Sequence, residues 1–273
     1  MTTDFEKKEH NLAVWRSLKR MISVWRRFAS ERQGALVTED DNIVSCWASS
    51  PLNFMNIVFV VKESGRSDPL FDSLQNASAI LRAKPEPGLV LVVEEQLSVL
   101  DKAALLETAN TVGLTQTSGL WGMQCSEMKS CLFEHKEFNI RKVVGSQAIE
   151  MIAEMNGAAY GIPSDVVMTA FSRSAILERE SVVFVGFERN IPVSVAVTLA
   201  DNDAVYLALV ATKPSAQRRG YGTATVQRAL LEGREVFGLK SFALHSTADG
   251  FQIYERLGFS VVAHMRLFEL VQS

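Results

Sequence analysis

The stretch VATKPSAQRRGYGT, residues 210–223, decides the fold of the second half of this chain. An apolar strand pattern over 204–211 runs into it, and helical spacing through Val226, Leu230, Val236 and Phe237 leaves it. A turn bearing Gly220 and Gly222 therefore joins a strand to the start of a helix. Such a junction gathers backbone N–H groups at the positive end of a helix dipole, a geometry that suits a pyrophosphate. Glycine at both positions permits close backbone approach and φ values closed to other residues, and Arg218 and Arg219 can add charge-assisted contacts to phosphate. A short G-x-G turn also fits a plain strand-to-helix connection, so its surroundings carry the reading.

Upstream, 139–144 reads as a strand and 146–156 and 163–173 as helices. Strands 182–187 and 193–199 are joined by a tight turn at Arg189 and Asn190, and 204–211 follows a turn at Asp201, Asn202 and Asp203. Three successive antiparallel strands are expected. Downstream come a short strand 241–245, a helix 249–257 bearing Tyr254, and Gly258-Phe259 leading into a last strand.

With these pieces in order, residues 133–270 resemble the GCN5-related N-acetyltransferase (GNAT) family, whose signature is Q/R-x-x-G-x-G/A after a strand, then a tyrosine and a Gly-Phe pair. Here those are Gln217 to Gly222, Tyr254 and Gly258-Phe259. The resemblance implies an α/β (α+β) fold with a mostly antiparallel sheet flanked by helices. It also implies transfer of an acetyl group from acetyl-CoA to a primary amine of a small molecule or peptide by direct attack, with no metal. Val210, Ala211 and Thr212 would meet the pantetheine arm; Gln217, Arg218, Arg219, Gly220, Tyr221, Gly222 and Thr223 would hold the pyrophosphate. Thr247 stands where the family often has an asparagine, which puts that side-chain contact to pantetheine in doubt.

Attack of a neutral amine on a thioester needs positioning, backbone donors for the electrophile and a route for protons. Tyr254, placed near the sulfur by the resemblance, is the candidate general acid for the departing thiolate; its other reading is a tyrosine packed on the sheet. His245 is the candidate base, or a structural histidine at a strand end. Tyr206, Glu188 and a bound water are alternatives, and Tyr206 is also a candidate acceptor contact. A non-catalytic CoA-binding sensor and an enzyme using another acyl-CoA are the rival functions.

In the first half, apolar residues Leu12, Trp15, Leu18, Ile22, Trp25 and Phe28 recur at helical spacing over 4–30, with Arg16, Lys19, Arg20, Arg26 and Arg27 on the other face. That face reads as a solvated one, against a membrane-surface or nucleic-acid reading. Strands at 43–47 and 57–61, a helix 68–82, the breakers Pro85, Pro87 and Gly88, a strand 89–93, a helix 99–110 and a strand 120–125 follow. This order is similar to a degenerate copy of the same GNAT fold, lacking the Gln217-type loop, so that the chain resembles a tandem protein divided as 1–130 and 133–273. Trp47, Phe54 and Asn56 either form a structural turn or shape an acceptor pocket between the two halves.

The bulk composition agrees with two soluble cores: 273 residues, 47% hydrophobic and 22% charged. A net charge of -3 gives no overall pull toward nucleic acid or an anionic membrane. Cys46, Cys125 and Cys131 cannot all pair and match no metal spacing, which points to a reducing cytoplasm. No leader-like apolar segment opens the sequence, and its apolar runs are strand-length, so no membrane crossing is expected.

Overall fold

The computed structural model describes residues 4–40, 42–61, 69–131, 133 and 135–271. In chain order the elements are α1 (Asp4–Ser30), β1 (Leu36–Glu39), β2 (Ile43–Trp47), β3 (Asn56–Val60), α2 (Leu70–Arg82), β4 (Leu89–Val93), α3 (Val99–Thr111) and β5 (Leu114–Cys125). There follow β6 (Phe138–Val143), α4 (Ser146–Tyr160), α5 (Ser164–Phe171), β7 (Ser181–Glu188), β8 (Ile191–Asp201), β9 (Ala204–Thr212), α6 (Tyr221–Phe237), β10 (Ser241–Ser246), α7 (Ala248–Arg256) and β11 (Ser260–Leu270). The fold is mixed α/β with open, mostly antiparallel sheet, as the sequence suggests.

Two compact units divide the chain, one of 1–122, 246–248 and 261–273, the other of 123–245 and 249–260. This corrects the expected split at 130, because the final segment packs with the first unit. Period-two alternation identifies a strand but not its partner, and β11 hydrogen-bonds antiparallel to β4 with Met265 opposite Val93 and Phe268 opposite Val90.

In the first unit the strand order is β1-β2-β3-β4-β11-β5. Strands β1 to β3 pair antiparallel and β3 pairs parallel with β4, the crossover being α2. Strands β2, β3 and β4 are buried along their whole length, as Val- and Ile-rich strands covered on both faces must be. Leu74, Ala77, Leu81, Leu105 and Ala109 from the two helices pack on this sheet with Trp47, Val58 and Phe268. On α1 the buried line runs through Val14, Leu18, Met21, Val24 and Phe28, about one residue round from the expected line; Leu12 is exposed, and Arg20, expected in water, is only 5% exposed. The expected helix start at Asp68 and the loop joining β3 to α2, 62–68, lie outside the described residues.

Trp47 and Asn56 do structural work, in line with the turn that is one of the two readings given for them. Trp47 is fully buried in that core and donates its indole N–H to Glu86 at 3.1 Å. Asn56, also fully buried, accepts from the backbone N–H groups of Ala48 and Ser50 and donates to the carbonyls of Ser50 and Pro87, at 2.7 to 3.2 Å. The Phe54 carbonyl is taken by the indole N–H of Trp25. Asn56→Ala strands two buried N–H groups and two carbonyls, so a loss of about 3 kcal/mol or more of stability is expected, checked by urea unfolding of the two proteins.

The second unit has the order β10-β9-β8-β7-β6. β6 to β9 pair antiparallel, and β9 pairs parallel with β10 through the crossover helix α6. The β7–β8 connection is made by Arg189 and Asn190, both with positive φ (49° and 67°), the backbone of a two-residue hairpin turn that an Arg-Asn pair fills at some strain. Thus β1-β2-β3-β4 and β7-β8-β9-β10 share one pattern: antiparallel, antiparallel, then parallel across a single helix.

Candidate active site

The site begins with an irregularity in β9. Val195 pairs with Ala211 but Val197 with Ala208, so β9 carries an extra residue there, and Leu209 takes up a φ of 49°. On its other side β9 keeps register with β10 only as far as Leu207 opposite Leu244, whereas β9 continues to Thr212. Beyond Leu207 the two parallel strands part, and the backbone of 208–212 has no β10 partner.

Helix α4 reaches this opened edge. The Asn156 amide donates to the Leu209 carbonyl and the Tyr160 hydroxyl to the Val210 carbonyl, each at 3.4 Å. Neither residue was among the expected site residues, and the expected helix ended at 156, short of Tyr160. The helix in fact runs on to Tyr160 and stops at Gly161, whose φ of 67° and N–H bond to the Gly157 carbonyl form a left-handed cap. Gly161 followed by Pro163 was the signal for that later stop.

The expected phosphate loop follows directly. The Gln217 side chain bonds back to the Thr212 carbonyl at 3.3 Å, bracing the two ends of the loop. Arg218 is left-handed (φ 60°), as is Gly220 (φ 82°), and a β-carbon on Gly220 would lie 2.5 Å from the Phe133 ring. At Gly222 the demand is space rather than φ: an added β-carbon would meet Thr212 Oγ1 at 2.7 Å. Helix α6 starts at Tyr221 with no side-chain cap. The first intrahelical bond is Ala224 N–H to the Gly220 carbonyl, so the N–H groups of 221–223 have no acceptor within the helix.

Two loop residues have jobs other than the expected ones. Arg219 forms a two-pronged ion pair with Glu188, one arm at 2.8 Å, and lies over the Tyr221 ring. Its charge is spent on Glu188, whereas Arg218 is exposed and forms no ion pair among the described residues. The Tyr221 side chain is fully buried, stacked on Phe138 with centroids 4.4 Å apart, and gives its hydroxyl proton to Glu188 at 2.7 Å. Tyr221 therefore offers a ligand its backbone N–H only. The Tyr221 hydroxyl and Arg219 hold the Glu188 carboxyl below the usual carboxylate range, which makes it a poor alternative base.

On the sheet, Tyr206 of β9 and His245 of β10 come together, hydroxyl to Nδ1 at 2.7 Å. Tyr254, on α7, is 6% exposed with its ring edge-on to Phe259, and no described residue hydrogen-bonds its hydroxyl. Burial, helped by Asp201 for Tyr206 and by Tyr160 for Tyr254, pushes both phenols far above their ordinary range. Both stay protonated at any working pH, which keeps the Tyr254 hydroxyl as a hydrogen-bond donor and removes Tyr206 as a base. Thr247 is exposed, and its carbonyl accepts from Ser246 Oγ at 2.7 Å.

Comparison with known proteins now bears on this arrangement. Residues 158–270 match the family described as acetyltransferase (GNAT) domain. The GNAT family is thus matched by residues 158–270 of this chain. Among solved structures, the GNAT fold recurs in a GCN5-related N-acetyltransferase from Kribbella flavida, 17% identical with a TM-score of 0.68, covering 93% of this chain and 95% of that one. A second, from Sphaerobacter thermophilus, is 14% identical with a TM-score of 0.57, covering 80% and 73%. A tandem GNAT protein from the clavulanic acid biosynthesis pathway is 11% identical with a TM-score of 0.53, covering 89% and 82%. No curated protein matches the sequence significantly. N-acetyl transfer is the general activity of the GNAT family.

The two buried phenols of the GNAT domain give a stability prediction. In the unfolded chain a tyrosine releases its proton near pH ~10, while Tyr206 and Tyr254 keep theirs when folded. Above that pH the folded state binds more protons, so stability is fully present below it and falls as pH rises, by up to ~1.4 kcal/mol per pH unit for each tyrosine. Urea midpoints measured from about pH 8 to 11 should drop steeply at the alkaline end, and Tyr206→Phe should flatten that drop.

Proposed function

We propose that the second unit transfers an acetyl group from acetyl-CoA to a primary amine of a small molecule or peptide by direct attack. The observation that carries this reading is the uncapped start of α6 held against β9 by Gly222, beside a β9 edge that has left β10 at Leu207. The N–H groups of 221–223 and the Arg218 guanidinium suit a pyrophosphate, and the backbone of 210–212 suits the amides of a pantetheine arm. In this reading Thr247 adds no side-chain contact of the kind an asparagine would give.

The reaction forms a C–N bond and breaks the C–S bond of the thioester. Backbone donors at the opened edge of β9 would polarise the acyl carbonyl. Tyr254, whose hydroxyl no described residue hydrogen-bonds, would donate a hydrogen bond to the departing thiolate, and the surplus proton of the amine nitrogen passes through water or a neighbouring base to the thiolate. The first unit repeats the strand pairing of the second, and this supports reading the whole as a tandem protein whose first copy has lost the cofactor loop. A reducing cytoplasmic setting fits three unpaired cysteines, two of them buried.

Calorimetric titration with acetyl-CoA and with free CoA tests the cofactor site; thiol release on adding a panel of primary amines tests turnover. Saturable binding with amine-dependent release is expected. Binding without release for any amine or acyl chain would favour a CoA sensor, release with a longer acyl donor only would change the donor, and no binding of either ligand would refute the proposal.

A further inference from the structure

Glu188 is the last residue of β7 and stands opposite Phe138 of β6 in the antiparallel ladder, so the two side chains share one face of the sheet. Both meet Tyr221, the first residue of α6. Phe138 stacks on its ring with centroids 4.4 Å apart, and Glu188 accepts its hydroxyl proton at 2.7 Å. The same carboxylate takes both arms of Arg219, whose guanidinium carbon lies 4.7 Å from the centre of the Tyr221 ring. Glu188 therefore holds the two residues that flank Gly220, the left-handed turn of the loop. The Phe133 ring, edge-on to Tyr221, and His135 Nε2, 3.3 Å from its hydroxyl, complete the enclosure.

By charge alone this arrangement works against the site proposed above. A carboxylate beside a loop that receives a diphosphate repels the ligand, and it also occupies Arg219, a cation that would otherwise attract it. What the carboxylate supplies is geometry. Its two partners lie on either side of a glycine whose φ of 82° leaves the backbone wide freedom, and fixing both of them removes that freedom. The uncapped N–H groups of 221–223 then keep one direction, the condition for a preformed anion site.

We infer that Glu188 is a positioning residue for acetyl-CoA: through Tyr221 and Arg219 it sets the direction of the N–H groups that open α6, against the charge it brings to an anion site. The cofactor half of this inference rests on the proposed function, whereas the hold on the loop does not. It gives Glu188 a part other than that of the alternative base.

Hydrogen exchange in the full chain without ligands tests the hold. The Ala224 N–H is bonded to the Gly220 carbonyl, and in Glu188→Ala its exchange should quicken by about tenfold or more. Unchanged exchange would overturn the inference. Calorimetry with acetyl-CoA tests what the hold is for. Glu188→Ala should bind about tenfold or more weaker, and Glu188→Gln, whose amide oxygen can still accept from one of the two donors, should fall between that variant and the parent. A carboxylate acting by charge alone gives the opposite sign, tighter binding in both variants; one of structural use only gives unchanged affinity with a lowered melting temperature. Either result overturns the inference.

Tyr221→Phe keeps the stacked ring and should also weaken binding, and combining it with Glu188→Ala should weaken binding by no more than about threefold beyond Glu188→Ala alone. Fully additive losses would overturn the shared network. At saturating acetyl-CoA the kcat of Glu188→Ala should stay within about threefold of the parent, and a fall of about 10²-fold or more would make Glu188 the base instead. A parent protein that binds no acetyl-CoA would sink the proposed function and leave the exchange result to decide the hold on the loop.

Discussion

Tyr254→Phe should lower kcat by about 10²–10⁴ while acetyl-CoA binding stays within about threefold. The substitution is unusually clean, because no described residue hydrogen-bonds the Tyr254 hydroxyl. Removing it breaks no hydrogen bond to a described residue, and the ring that packs against Phe259 is kept. The melting temperature should therefore barely move. What disappears is a hydroxyl donor that no described residue uses, needed only as the C–S bond breaks; an interaction made in the transition state alone affects kcat and not ground-state binding. The drop should also be insensitive to pH up to about 10, since the folded phenol does not ionise in that range. An unchanged kcat would return Tyr254 to a packing role and leave the thiolate to water.

Gly222→Val is the second large effect, and it should fall on cofactor binding. Gly222 has no left-handed φ, so a valine is tolerated by the backbone and rejected by its neighbour: the new β-carbon would lie 2.7 Å from Thr212 Oγ1. To relieve this, the first turn of α6 must move off β9, taking the N–H groups of 221–223 out of register with the opened β9 edge. Displacements near 1 Å at such a site cost about 10²-fold, and acetyl-CoA affinity should weaken by at least that much, roughly 2.7 kcal/mol. Calorimetry measures it, and a rescue separates geometry from general damage. Thr212→Ala removes the obstructing oxygen, so the pair Gly222→Ala with Thr212→Ala should bind several-fold better than Gly222→Ala alone. Equal affinity in those two proteins would mean that the close approach of helix and strand is not what the glycine provides.

Much of this was legible in the sequence because the signals were local. The Arg189-Asn190 turn, the strand at 89–93 and the loop between Thr212 and Thr223 each announce themselves through alternation, turn chemistry or a glycine. What escaped depends on contacts between distant residues. Nothing about Leu209 forecasts a left-handed φ; it follows from the shift in pairing with β8. Arg219 looks like a phosphate ligand until Glu188, far away in sequence, is found to hold it. Trp47 and Asn56 have the residue types of a binding pocket, yet burial and five hydrogen bonds give them to the scaffold.

The place of β11 has a bearing on how the chain is born. The ribosome finishes 89–93 long before it makes 265–268, so β4 emerges with a bare edge of Val and Leu backbone that is covered only once β11 has been made. The unit synthesised first is thus the one completed last, while the body of the acetyltransferase unit is already off the exit tunnel. During that wait the open edge invites pairing with other chains, a reason to expect a need for chaperones at high expression and sensitivity to truncations that remove β11.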